Sequence, residues 1–370
     1  MNFPGLDPVW SLVHHAARGV GLIRPWTMPG IRSALNRGER VLVVASTALG
    51  DSILTTPLLE TLATHLGPER ISLLVREPYA ELYEYDPRLA RIYFVRGKYR
   101  WSGLRRQLAE DPHRIALLSN MSEPDLIPLL WYGGVRGFLR YRSRWTRYPR
   151  WMANEPMLRQ PGAPDYASGH AIENNLAMAH AIGCEPVTHQ LSLPRYRLGI
   201  GTRERRLIIH PGASREIKRW PVENWARLGD ALAEKFQCAI SISGSPDEVP
   251  LAREIAQRMK SSPHVCAGEI SLKALARLQA ASTAFLSGDT GPYHMAIAVG
   301  CPTVTLFAPT DRGSSTEACG PHQADPVFHR ALETEQLGDN ISTIPFDTVL
   351  AESIAVIEAS LARPDAEGDA

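Results

Sequence analysis

The chain has 370 residues, 44% of them hydrophobic and 21% charged, and a formal net charge of +1. That length exceeds what one hydrophobic core usually serves and predicts two domains. The near-zero charge names no polyanionic partner, and the five scattered cysteines (Cys184, Cys238, Cys266, Cys301, Cys319) form no C-x-x-C pair, which argues against a zinc knuckle or disulfide scaffold and fits a reducing compartment.

Residues 1–38 mix Trp10, Leu12, Val13, Leu22, Ile23 and Trp26 with Arg18, Arg24, Arg32 and Arg37. They read as an N-terminal extension, either packed on the body or resting on a membrane surface as an amphipathic element. They lack the features of a secretory signal. No run of about 18 apolar residues predicts a membrane-spanning helix.

From Val41 the pattern alternates. Strand-like runs at 41–45, 71–75, 91–95 and 114–118 are separated by helical stretches such as 56–65 and 104–110. This spacing predicts an α/β, doubly wound parallel sheet over residues 39–185. Residues 186–204 read as a linker. The alternation restarts over 205–345, with strands at 207–210, 239–243, 283–287 and 303–307. One helix there places Trp225, Leu228, Leu232 and Phe236 on one face. A C-terminal helix over 346–362 and a disordered polar tail over 363–370 complete the reading.

Open α/β sheets bind ligands beyond the carboxyl ends of their strands. Three clusters lie at such places. The first is ALGDSILTTPLL, where Gly50 permits a tight turn and Asp51 stands at or near a helix N-cap. Asp51 either caps the helix or serves as a rigidly held general base. The second is HPGASREIKRWP, residues 210–221. Small residues there admit backbone amides to a ligand, Ser214 offers a hydroxyl, and Arg215, Lys218 and Arg219 offer charge, a combination suited to a diphosphate. It is not a Walker A loop. The alternative is a solvated basic turn. The third is SGDTGPYHMAIAVGCP, residues 287–302. Asp289 or Thr290 caps a helix there, and a helix N-terminus after D-T-G suits an anion. His294, in its first turn, is either a donor contact or a core or capping histidine. Glu248, also after a strand, is a weaker candidate for a ribose contact. No His/Cys/Asp spacing demands a metal.

Together LGDSILTTPLL, HPGASREIKRWPVENWARL and SGDTGPYHMAIAVGCPTVTLFAPT resemble glycosyltransferase family nine, the ADP-heptose:lipopolysaccharide heptosyltransferases, across roughly residues 40–360. The resemblance implies a GT-B fold, with two Rossmann-like domains facing across a cleft. The acceptor would lie mainly on the first domain and the nucleotide-sugar mainly on the second. It implies an inverting, metal-independent transfer of heptose from ADP-heptose to a lipopolysaccharide inner-core or related glycan acceptor, with no cofactor beyond the donor substrate. Asp51 matches the general base and Lys218 the lysine on the donor diphosphate, with Ser214 nearby. Asp289, Thr290 and Gly291 match the segment around the phosphates, and Glu248 loosely matches the ribose contact. Ala45 stands where members often carry arginine, and Ala308 where they carry glycine.

Residues 131–151 interleave Arg136, Arg140, Arg142, Arg144, Arg147 and Arg150 with Trp131, Phe138, Tyr141, Trp145, Tyr148 and Trp151. Given the resemblance, Arg136, Arg140, Arg142 and Arg144 are the expected acceptor contacts on an anionic glycolipid. Nucleic acid is not an expected partner, because no nucleic-acid motif accompanies the stretch. The expected location is the cytoplasm, with peripheral contact to the inner face of a bacterial inner membrane an open question, as is the oligomeric state. Transfer to a protein acceptor and non-catalytic nucleotide-sugar binding are the rival readings.

Overall fold

The computed structural model describes residues 26–96, 101–119, 126–140, 169–197, 204–310 and 314–362. The chain divides into two compact units, Met1–His189 and Gln190–Ala370.

In the first unit the elements run α1 (Met28–Asn36), β1 (Val41–Ala45), α2 (Leu49–Ile53), α3 (Thr56–Leu66), β2 (Ile71–Arg76), α4 (Glu77–Ala80), β3 (Arg91–Val95), α5 (Trp101–Glu110), β4 (Ile115–Leu118), α6 (Leu126–Tyr132), β5 (Gly137–Arg140) and α7 (Ala171–Ala181). The sheet order is β3-β2-β1-β4-β5 with every pairing parallel. β1 is buried along its whole length. A continuous apolar run is what a parallel strand covered on both faces requires. Residues 26–38 of the expected extension belong to this unit. Ile31, Ala34 and Leu35 are buried, the Trp26 amide donates to the Arg136 carbonyl at 2.8 Å, and Arg32 donates to the Ala181 carbonyl. The apolar face of α1 is therefore covered by the unit itself.

His113, fully buried just before β4 against Ser72 of β2 and Tyr93 of β3, ties this sheet to pH. Its Nδ1 lies 2.9 Å from the Asp111 carbonyl, which only accepts, so Nδ1 carries the proton and Nε2 accepts from the Ser72 hydroxyl at 3.0 Å. Burial holds its pKa below 6.5 against the pull of Asp111. The unfolded chain therefore binds this proton more readily, and the stability from His113 is lost as pH falls below about 6.5. Urea midpoints measured at pH 7 and 5 are expected to fall more in the wild type than in His113→Gln. Equal falls would contradict this assignment.

The second unit runs α8 (Pro194–Arg197), β6 (Glu204–His210), α9 (Val222–Phe236), β7 (Ala239–Ile242), α10 (Val249–Arg258), β8 (His264–Val265), α11 (Leu272–Ala281), β9 (Ser282–Gly288), α12 (Gly291–Ala298), β10 (Thr303–Phe307), α13 (Thr316–Cys319), β11 (His329–Glu333) and α14 (Phe346–Ala362). Its sheet order is β11-β10-β9-β6-β7-β8, again parallel. Trp225, Leu228 and Leu232 of α9 pack with Ile255 of α10 and Val356 and Ile357 of α14 on one face of the sheet. Burial of each such side chain contributes about 1.5–3 kcal/mol. Of the segment expected as linker, residues 186–197 and 204 are described. The Leu193 amide and the Arg197 guanidinium both donate to the Ala298 carbonyl, which ties α8 to this unit.

Both sheets have the doubly wound order, in which the chain reverses direction across the sheet once. The reversal lies between β1 and β4 in the first unit and between β6 and β9 in the second. All three motif clusters follow strands at these two points. No helix among the described residues is long and apolar enough to cross a membrane.

Candidate active-site residues

In the first unit β1 runs out into Ser46, Thr47 and Ala48 before α2 begins. Asp51 is the third residue of α2, and Ala48 occupies the N-cap. The expected position at or near the cap is thus the third residue of the first turn, three residues inside the cap. Its carboxylate instead reaches back, accepting from the Thr47 hydroxyl and from the Ala48 amide at 3.3 Å. Asp51 stays half-buried. Beneath it runs a buried polar chain. Thr55 donates to the Asp51 carbonyl at 2.8 Å and meets Ser119 at 2.5 Å. Ser119 donates to Asn175, whose amide donates to the Leu54 carbonyl. These bonds join α2 to the carboxyl end of β4 and to α7, and a network satisfied in this way rigidifies its turn.

Two neighbours of Asp51 escape a reading of the motifs alone. Arg76, last residue of β2, donates to the Ser46 carbonyl at 2.7 Å. The Tyr79 phenol has its pKa raised by burial and by the Asp51 charge, against the pull of Arg76. Ala45 is fully buried, so the arginine common there in the resembling family has no counterpart on β1. A guanidinium from the adjacent strand reaches the same turn.

Of the expected acceptor residues, Arg136 donates to the Trp131 and Val135 carbonyls and lies 4.3 Å from the Trp131 ring centre. Arg140 is buried at the carboxyl end of β5. Arg142 and Arg144 lie outside the described residues.

In the second unit the turn after β6 is built around two close approaches. A Cβ on Gly212 would meet the Glu248 carboxylate at 2.1 Å, and one on Gly288 would meet the Lys218 carbonyl at 2.9 Å. Glycine at these places lets Glu248 lie over the 210–214 turn and lets the Lys218 backbone lie against the end of β9. Glu248 accepts from the Ser245 amide at 2.7 Å and lies 4.0 Å from His210 Nε2. Ser214 is exposed. Trp220, buried against Trp225 and Phe346, anchors the far side of the turn, and Arg219 closes it onto the Ala213 carbonyl.

Lys218 meets Asp289 here. Its Nζ donates to Asp289 Oδ2 at 2.6 Å, and the Ser314 hydroxyl donates to the same oxygen at 2.6 Å. The two side chains are 13% and 8% exposed, which makes this a buried ion pair. Burial pushes the Asp289 carboxyl up, but Lys218, His294 and the two hydrogen bonds outweigh it and hold it below the usual carboxylate range. Thr290 is the N-cap of α12 and makes no side-chain cap bond, and Pro292 is the second helical residue. The Thr290 hydroxyl is buried without a hydrogen-bond partner among the described residues. His294 does not cap the helix. It is buried, its Nε2 is 4.0 Å from Asp289 Oδ1, and burial lowers its pKa to about 4 against the pull of Asp289.

The arrangement thus has two parts. One unit holds a fixed, half-buried carboxylate at a strand end. The other places an ammonium, a hydroxyl and the amino end of α12 at the β6/β9 reversal, an arrangement suited to anionic oxygens.

Residues 168–329 match the model of glycosyltransferase family 9 (heptosyltransferase). The chain is 23% identical to lipopolysaccharide heptosyltransferase 3 of Escherichia coli strain K12 over 334 residues, covering 82% of this chain and 93% of that protein. It is 26% identical to lipopolysaccharide heptosyltransferase 1 of Pseudomonas aeruginosa over 296 residues, covering 74% and 80%. Among solved structures, the ADP-heptose lps heptosyltransferase II of E. coli superposes with a TM-score of 0.66 at 20% identity, covering 87% of this chain and all of that one (100%). The fold is of the same GT-B class.

Proposed function

We propose that the chain is a glycosyltransferase of family 9 and that it moves heptose from ADP-heptose to a lipopolysaccharide inner-core or related glycan with inversion at the anomeric carbon. The observation that carries this reading is the buried Lys218–Asp289 pair at the β6/β9 reversal, beside the N-cap of α12.

In this reading the acceptor hydroxyl oxygen attacks C1 of the heptose, and the bond from C1 to the ADP oxygen breaks. Asp51 takes the hydroxyl proton. Its bonds to Thr47 and the Ala48 amide fix the carboxylate before substrate arrives, as a general base requires. The leaving diphosphate gains charge. Lys218 and the amino end of α12 supply fixed positive potential where that charge develops, so the chemistry asks for no metal. Donor arrival draws the Lys218 ammonium from carboxylate toward phosphate, while Ser314 still satisfies Asp289. Glu248 faces the ribose. The acceptor lies on the first unit, towards the carboxyl ends of β1 and β5, and the protein works in the cytoplasm.

Calorimetric titration with ADP, UDP and GDP tests the donor assignment. Preference for ADP supports it, and preference for UDP or GDP overturns it. The Gly212→Ala variant adds a local check. The new methyl group would displace the Glu248 carboxylate, a movable side-chain end, so the melting temperature stays near wild type. ADP affinity is expected to fall about 10-fold, as for one lost hydrogen bond to a charged group. Unchanged affinity would remove Glu248 from the donor contact.

A further inference from the structure

Close to the amino end of α12 the fold gathers three chemically different ligand atoms that no spacing in the sequence announces. Asp289, His294 and Cys319 each offer one atom, and these lie within 4.8 Å of one another. They come from the end of β9, the first turn of α12 and the last residue of α13. Asp289 and His294 are buried, and Cys319 is half-buried.

The Cys319 thiol donates to the Ser315 carbonyl at 3.5 Å, and the other two groups leave a gap between them. Asp289 Oδ2 is taken by Lys218 and Ser314, whereas Oδ1 faces His294 Nε2 at 4.0 Å. That gap is too long for a hydrogen bond. It is somewhat wider than the roughly 3.3 Å that separates two ligands on a tetrahedral ion with bonds of about 2.0 Å. The Tyr293 hydroxyl, which feels the charges of Cys319 and Asp289, is buried without a hydrogen-bond partner among the described residues. Buried polar atoms are seldom left so.

We propose that Asp289, His294 and Cys319 form a binding site for a divalent transition metal of the zinc type. The donor set selects the class. Thiolate with imidazole suits zinc or cobalt and not magnesium or calcium, which take oxygen. Three protein ligands leave one tetrahedral position open. The Cys319 thiol releases its proton on ligation, so affinity falls as pH falls. Shortening the 4.0 Å gap between Asp289 and His294 by about 0.7 Å brings that pair to bonding geometry.

The site is tested with metal alone, so the outcome does not depend on the donor reading. The full chain, stripped with chelator, is titrated with Co2+ and its absorption spectrum recorded. One equivalent is expected to give strong tetrahedral d–d bands and a thiolate-to-cobalt charge-transfer band, both removed by Zn2+. Cys319→Ser is expected to fold normally, lose the charge-transfer band and bind about 100-fold more weakly or worse. His294→Gln is expected to weaken binding by a similar factor. A wild-type spectrum without a thiolate band, or one unchanged by Cys319→Ser, would overturn the proposal. The wild-type spectrum decides the matter even if a variant fails to fold.

Discussion

Replacing Asp51 with asparagine is expected to lower turnover by about 100- to 10,000-fold, the usual contribution of a positioned general base. That equals about 3–5 kcal/mol of transition-state stabilisation. Asparagine keeps the shape and can still accept from Thr47 and the Ala48 amide, so the α2 turn should survive and ADP affinity should not change. A fall in turnover with unchanged donor binding isolates the proton transfer. If Asp51→Asn turns over like the wild type, the carboxylate is only part of the turn. If it also loses ADP binding, the fold of the first unit is at fault and the base assignment loses its support.

Replacing Lys218 with methionine has two expected effects. It strands a buried carboxylate, which costs about 3–5 kcal/mol of stability at neutral pH. It also removes the ammonium proposed for the diphosphate, which weakens ADP binding by about 10- to 100-fold. The double variant Lys218→Met/Asp289→Asn separates them. Removing both charges should restore much of the stability and none of the ADP affinity. Recovery of both would mean that Lys218 matters only through Asp289. The pH dependence has a definite sign. Burial raises the Asp289 carboxyl, yet Lys218 and the other partners hold it below 3.8 in the folded chain. Its stabilisation is therefore present above about pH 3.8 and is lost as pH falls through the lower folded value. The stability gap between wild type and Lys218→Met, read from urea midpoints, should narrow below that pH.

The strands that position the candidate site are legible because each is an apolar run ended by small or turn-forming residues. Those at 41–45 and 303–307 coincide with the observed β1 and β10. Three strands are not legible in this way. β8 has two residues, too few for any period. β11, HRALE, is half-buried throughout and lies at the sheet edge, so it carries no apolar run. β5 is concealed in the basic-aromatic stretch, where alternating arginines and rings suggest a surface rather than a buried strand. The same limit applies within the site. Asp51, Lys218 and Asp289 stand out because glycine and strand ends surround them. Ser314, Arg76, Tyr79 and Cys319 do not, because their relevance comes only from what the sheet brings beside them. The place of Asp51 three residues inside the cap has a local cause. Ala48 takes the N-cap, and Thr47 with the Ala48 amide then holds the carboxylate.

Heptose transfer from ADP-heptose, as proposed, is read as release of ADP when the chain is mixed with ADP-heptose and a lipopolysaccharide inner-core acceptor, with the product's anomeric configuration determined by NMR. Acceptor-dependent ADP release and inversion at C1 are expected. No release with ADP-heptose, or release with retention at C1, would contradict the proposal.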